Sequence, residues 1–205
     1  MKEFLSVDAL ATGVNTVDVL VRLPDHYTAG EKLPARDLVV QGGGAAATAA
    51  CVVAALGWRT GFITRLGDDA LSVICRAEFK RCGVVDDFFI RDPDASPVTA
   101  VIHVNPQTSE RTIFYMANRF KSLTASDIPL DVVRRTKLVL LDGFEPEAAP
   151  TILAAVREGT KFCSRFCCWA AQRAFMRALA DGRLSGILAL ERERAKAERL
   201  ATPWS

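Results

Sequence analysis

The residues best suited to chemistry are three consecutive glycines, Gly42, Gly43 and Gly44, set between a strand-like run and the Ala-rich segment 45–56. Lacking a Cβ, they let the backbone approach a ligand closely, with the unbonded amides of a helix start facing it. Gly42, Gly44 and Ala47 also satisfy G-x-G-x-x-[GA], and Asp68 and Asp69 follow a second strand at a distance suited to a ribose. A Rossmann NAD-dependent oxidoreductase is therefore one reading. A tight strand–helix turn with no ligand is another. Asp142 ends the strand-like run 137–141, where open α/β sheets place their ligands. Asp68 and Asp69 read equally as capping acids at a helix start, and His103, inside a strand-like run, reads as structural.

The elements that must position these residues alternate. Apolar runs at 4–12, 17–23, 38–40, 60–64, 98–104, 112–116 and 137–141 are predicted strands. The polar stretch Asn105-Pro106-Gln107-Thr108-Ser109-Glu110 between two of them reads as a hairpin loop. Helices are predicted over 45–56, 70–82 and 147–158, ended by Gly57, Gly83 and Gly159. Strand–helix alternation predicts an α/β fold with a mainly parallel sheet, and the hairpin adds a small accessory sheet.

Composition bounds the function classes. A chain of 205 residues, half of them hydrophobic and 24% charged, with mean hydropathy +0.15, has the material for one sizeable globular domain. No apolar stretch suits a membrane span and residues 1–10 carry no signal-peptide pattern, so a cytoplasmic location is expected. The net charge of +2 points to no nucleic-acid partner. Cys51, Cys75, Cys82, Cys163, Cys167 and Cys168 lack the spacing of a disulfide framework or a metal site and read as free thiols.

Several ordered motifs resemble the ribokinase-like (PfkB) carbohydrate kinases over about residues 5–160. They are Gly13-Val14-Asn15-Thr16-Val17-Asp18, the Gly42-Gly43 pair opening a small-residue helix, Ala55-Leu56-Gly57, Gly67-Asp68-Asp69 and Gly83-Val84. Ala47 stands where many members have Asn, and Ser72 replaces a common Gly. The resemblance implies a ribokinase-like sheet flanked by helices with a small β lid. It implies transfer of the ATP γ-phosphate, with magnesium, to a sugar or sugar-like hydroxyl. On that resemblance Asp18 binds substrate hydroxyls, since each carboxylate oxygen accepts from adjacent hydroxyls, and Gly42, Gly43 and Gly44 offer unobstructed backbone. A turn or cap role for Asp18 remains the alternative. Asp142 completes the substrate contacts, while the runs near 17–23 and 98–116 form the lid that excludes water and offers a surface for a homodimer.

After Thr160 the texture changes. Residues 1–160 hold 17 Lys and Arg against 20 Asp and Glu, whereas 161–205 hold 9 against 4. The run Glu147 to Lys161 should lead into another apolar strand, and none is legible. The segment 161–205 reads as an atypical basic tail, the product of a shifted GC-rich frame, or else as a genuine helical element with 187–200 helical by propensity. It holds no Gly-Ala-Gly-Asp segment, which in the family supplies the phosphate-holding amides and the general-base Asp. The expectation is a partial domain over 1–160 lacking the nucleotide-binding half, with no catalytic base and no phosphotransferase activity alone. A non-catalytic sugar-binding or dimerising protein is the remaining alternative.

Overall fold

The computed structural model describes residues 6–164 except 27, 29 and 106, with backbone alone for 163 and 164. Cys167, Cys168 and the segment 187–200 lie outside the described residues, as does the side chain of Cys163.

In chain order the elements are β1 (Ala9–Thr12), β2 (Thr16–Arg22), β3 (Asp37–Gly43), α1 (Ala45–Ala55), β4 (Thr60–Leu66) and α2 (Ala70–Cys82). There follow β5 (Val84–Val85), β6 (Phe89–Arg91), β7 (Val98–Val104), β8 (Arg111–Met116), α3 (Leu130–Val133), β9 (Leu138–Leu141), α4 (Ala148–Ala155) and β10 (Lys161–Ser164). The main sheet runs β10-β9-β1-β4-β5 with all pairings parallel, and β6 pairs with the far part of the same β4 edge. The second sheet runs β3-β2-β7-β8, antiparallel except for the parallel β2–β7 pair. The expected α/β fold with a mainly parallel sheet and a small accessory sheet is the one observed.

Because side chains alternate along a strand, each main-sheet strand feeds two cores. Leu10, Ile63, Val139 and Leu141 face one side, where Ile152 and Leu153 of α4 and Val132 and Val133 of α3 cover them. Ala11, Phe62, Leu66 and Leu140 face the other, against Ala46, Ala47 and Ala50 of α1 and Cys75 and Phe79 of α2. The small α1 side chains let that helix lie close to the sheet, and the Phe62 and Phe79 rings fill the wider space beside it with centroids 4.8 Å apart.

The ends of α2 obey the sequence. Asp69 caps its start by accepting from the Ser72 amide at 2.8 Å, and Gly83 ends it in the left-handed conformation. Helix α4 is shorter than predicted, because Val156 turns extended and its side chain enters the core before Gly159 is reached.

One expectation is overturned. A strand does follow Gly159-Thr160: β10 pairs in parallel with β9 from Lys161↔Leu138 to Ser164↔Leu141, and Phe162 is buried in the α4-side core. The sequence hid it because only Phe162 of this short run is strongly apolar, so the partner strand and not the pattern specifies it. The main sheet therefore extends past residue 160. Among the described residues no helix is long and apolar enough to cross a membrane.

Candidate functional site

The turn from β1 to β2 lies at the carboxyl end of the main sheet and delivers Asp18 into the second sheet. Register places Thr16 opposite Gly43 and Asp18 opposite Gln41. Paired residues share a face, so the Asp18 carboxylate lies beside the bare Gly43 backbone. A Cβ on Gly43 would stand 2.2 Å from Asp18 Oδ2 and 2.5 Å from Thr16 Oγ1, so no other residue fits there unchanged. Thr16 Oγ1 donates to Asp18 Oδ1 at 2.7 Å, which fixes the carboxylate and leaves acceptor capacity on it. Asp18 is half-buried.

The three glycines do three different things. Gly42 and Gly43 are the last residues of β3, not part of a loop. Gly42 faces α2, where a Cβ would come within 3.0 Å of the Glu78 side chain. Gly44, at φ +97, brings the start of α1 against the Val14 carbonyl, which a Cβ would meet at 2.1 Å. Of the three, Gly43 alone opens onto Asp18.

Asp142 sits where the sequence placed it, just past β9, and is fully buried. Its Oδ2 accepts from the Val14 amide at 2.9 Å and the Ala46 amide at 3.2 Å, while Oδ1 accepts from the Phe144 amide at 3.1 Å. Burial pushes its acidity toward the neutral form, and these amides oppose that shift. The α1 amide at Ala46, expected to face a ligand, is thus already occupied by an internal carboxylate. Asp142 joins the β1–β2 turn to the start of α1 and so holds Asp18 and Gly43 in register.

Three features escaped sequence reading. Glu145 is buried, accepts from the Leu123 amide at 2.7 Å, and is pushed up to about 7 chiefly by burial, with the Asp142 charge adding to it. The signal available was its place three residues beyond Asp142 in a strand-exit loop. Asn15, fully buried, donates to Cys75 Sγ at 3.1 Å and accepts from Thr64 Oγ1 at 3.2 Å, locking the turn to β4 and α2. A cavity of about 150 Å³ lies behind the glycines, lined by Thr16, Gly42, Gly43 and the free thiols Cys51, Cys75 and Cys82. Burial raises Cys51 to about 12 and Cys75 to about 11, so neither is a ready nucleophile.

Asp68 and Asp69 serve structure. Asp68 pairs with Arg91 at 2.7 Å, while Asp69 caps α2 and pairs with Arg119 at 3.1 Å. The dinucleotide reading fails on topology, because β3 is an antiparallel strand of the second sheet and so forms no βαβ unit with α1. His103 sits edge-on to Phe114 at 5.4 Å, on the face of the second sheet away from Asp18.

The pfkB family carbohydrate kinase model matches residues 10–181. No curated protein matches the chain. Among solved structures, Arabidopsis thaliana ribokinase complexed with ribose and ATP is similar at 17% identity and TM-score 0.60, over 89% of this chain and 71% of that one. Fructokinase from Xylella fastidiosa is similar at 19% identity and TM-score 0.60, over 78% of this chain and 51% of that one. A PfkB protein from Polaromonas sp. JS666 is similar at 15% identity and TM-score 0.67, over 84% of this chain and 63% of that one. The chain thus spans about half to two thirds of the length of most of the structures it resembles. A family match running through β1, both sheets and β10, on a fold shared with ribokinases and fructokinases, assigns this chain to the pfkB family of carbohydrate kinases.

Proposed function

We propose that this chain is the sugar-binding portion of an ATP-dependent carbohydrate kinase, which moves the γ-phosphate to a sugar hydroxyl. The observation that carries the reading is the Asp18 carboxylate held by Thr16 beside the bare Gly43 backbone. A carboxylate fixed in this way accepts hydrogen bonds from neighbouring hydroxyls, and the glycine lets the sugar ring approach the strand. The second sheet is the proposed lid: the β1–β2 turn joins it to the carboxyl end of β1, and its role is to keep water from the hydroxyl that is to react. Asp142 is a positioning residue here, acting through the turn that carries Asp18.

ATP and magnesium belong to the whole reaction. Among the described residues no three His, Cys, Asp or Glu side chains converge as a metal site, and 161–205 holds no Gly-Ala-Gly-Asp segment. No step through the nucleotide or its metal is assigned to the described residues. Sugar capture is the activity proposed for these residues, which is also what a non-catalytic sugar-binding protein would do.

Titration calorimetry with a panel of pentoses and hexoses, without nucleotide, is the test. Saturable heat that disappears in Asp18→Ala, with an unchanged urea midpoint, supports the reading. If no sugar binds, or if Asp18→Ala binds like the parent, the reading fails. A coupled assay for ADP release then separates capture from transfer.

A second reading concerns the outer lid face. Leu38, Val40, Phe114 and Met116 are all exposed there, opposite the Asp18 side. An apolar face of this kind on a soluble fold favours pairing of two copies through their lids.

A further inference from the structure

At the amino end of the main sheet, opposite the proposed sugar site, three strand-entry turns border an open concavity of about 360 Å³. Its lining includes Arg134, Arg135, Lys137, Arg157 and Lys161, with Trp58 at one side and Glu158 as the one acid. The cavity size falls in the range of small-ligand sites, roughly 300–1,000 Å³. We propose that this cavity is a binding site for a small polyphosphate, a ligand carrying two or more linked phosphate groups.

The site is built, not incidental. The β9–β10 register sets Lys161 beside Leu138, bringing the Arg134–Lys137 turn and the Arg157–Lys161 turn side by side. The Lys161 amide donates to the Lys137 carbonyl at 2.8 Å, the Thr160 amide to the Arg157 carbonyl at 3.2 Å, and the Lys137 amide to the Asp8 carbonyl at 2.9 Å. The buried Thr136 hydroxyl anchors the first turn on the Val132 carbonyl at 2.9 Å. A backbone cross-linked in this way cannot spread to relieve repulsion among the cations it carries.

Cations are paired with acids at both ends of the sheet, Arg59 with Asp87 at 3.9 Å included, but two cations at the amino end are left over among the described residues. Around the carboxyl end, Arg65 is bonded by Asp127 at 2.6 Å, Lys121 by Asp92 at 2.9 Å and Arg119 by Asp69 at 3.1 Å. At the amino end Asp131 holds Arg134 at 3.1 Å and Asp8 holds Lys137 at 2.7 Å. Arg157 and Lys161 have no ion-pair partner among the described residues. Cations held close in a concavity focus a positive potential, and guanidinium forks match phosphate oxygens two at a time. A concave site of this volume suits a compact polyphosphate better than an extended nucleic acid. The near-neutral net charge conceals all of this, because the excess is local.

The experiment is titration of inorganic pyrophosphate into the full chain at low salt, followed by Trp58 fluorescence and by calorimetry. Expected are one saturating site, affinity that falls as salt rises, and at least a tenfold loss in the double variant Arg157→Gln, Lys161→Gln. Both side chains are exposed, so the urea midpoint should not move, and the Trp58→Phe variant should lose the optical signal while keeping the calorimetric one. The lid pair Arg22→Gln, Arg111→Gln is the control and should bind as the parent does. Absence of saturation, equal weakening by the lid pair, unchanged binding by the double variant, or tighter binding of a single-stranded oligonucleotide than of pyrophosphate would each overturn the proposal.

Discussion

The main sheet and the lid draw on the same residues, chiefly Val, Ile, Leu and Ala, yet meet opposite surroundings. Every residue of β1 is buried, and so are all but one of β4. In the lid, five of the seven residues of β3 are exposed, and all six of β8. Strand propensity is common to both; the layer packed against the strand is not. The difference separates two settings: the main-sheet strands are buried in the core, while the outer strands of the lid leave their side chains exposed. Changes beneath the sheet's end should therefore cost folding energy, while changes in the lid should cost binding.

The largest effect at the site belongs to Asp142, where the two sheets are tied together. Asp142→Ala leaves the Val14, Ala46 and Phe144 amides without their acceptor. At roughly 1–3 kcal/mol per stranded donor, the loss should be about 4 kcal/mol. Urea unfolding would measure it. Asp142→Asn, which keeps one acceptor oxygen, should lose less. Equal stability of Asp142→Ala and the parent would break the division between folding and binding residues.

Next comes a pH effect seated in the same loop. Burial raises Glu145 to about 7, above its ordinary value of 4.5, so the folded chain holds a proton that the unfolded chain has released. Its contribution to stability is complete below about pH 4.5 and is lost as pH rises through about 7, amounting to about 3 kcal/mol. Asp142, shifted in the same direction, adds to the fall. Glu145→Gln keeps the acceptor for the Leu123 amide and carries no proton to lose. Urea midpoints taken from pH 5 to pH 8 should decline for the parent and flatten for the variant. The opposite behaviour belongs to Asp8, Asp68, Asp92 and Asp127, which their cationic partners and hydrogen bonds hold below the usual range, so that stability falls again in acid.

Smaller in free energy, but sharper as a discriminator, is the pair Asp18 and Gly43. Asp18→Ala should weaken sugar binding by about 2–3 kcal/mol, the worth of hydrogen bonds to a charged group, and leave the urea midpoint within about 0.5 kcal/mol. Gly43→Ala should also lose binding, because its Cβ would stand 2.2 Å from Asp18 Oδ2 and must displace the carboxylate. Were either variant to lose stability like Asp142→Ala, the lid would be part of the folding core.

How much of this was legible in the sequence follows from what each feature depends on. Helix α2 was readable to the residue, because Asp69 and Gly83 mark its ends by local chemistry alone. That Asp18 and Gly43 share one place was readable only as the family resemblance implied it; the antiparallel register of β2 on β3 that brings them together was not read. Strand β10 was not readable, for its apolar content is one phenylalanine and its partner β9 supplies the rest of the instruction. The short β5 and β6 escaped for the same reason, each being a two- or three-residue edge on β4. Two of the three amides that Asp142 accepts from were hidden because they come from segments about 100 residues and more away, which no side-chain pattern records.

The smallest expected effect tests the lid from its outer side. Phe114 is 58% exposed, whereas Phe62 in β4 is fully buried, so the same ring should carry different weight in the two sheets. Phe62→Ala removes a buried ring and should cost about 3–5 kcal/mol. Phe114→Ser removes an exposed one and should stay within about 0.5 kcal/mol. The edge contact with His103 lies within that margin, since an aromatic pair open to water has little to lose. If two copies do pair through their lids, sedimentation should show the Phe114→Ser dimer dissociating at a concentration where the parent remains associated. A stability loss near that of Phe62→Ala would instead mean that the outer lid face is covered by the chain itself.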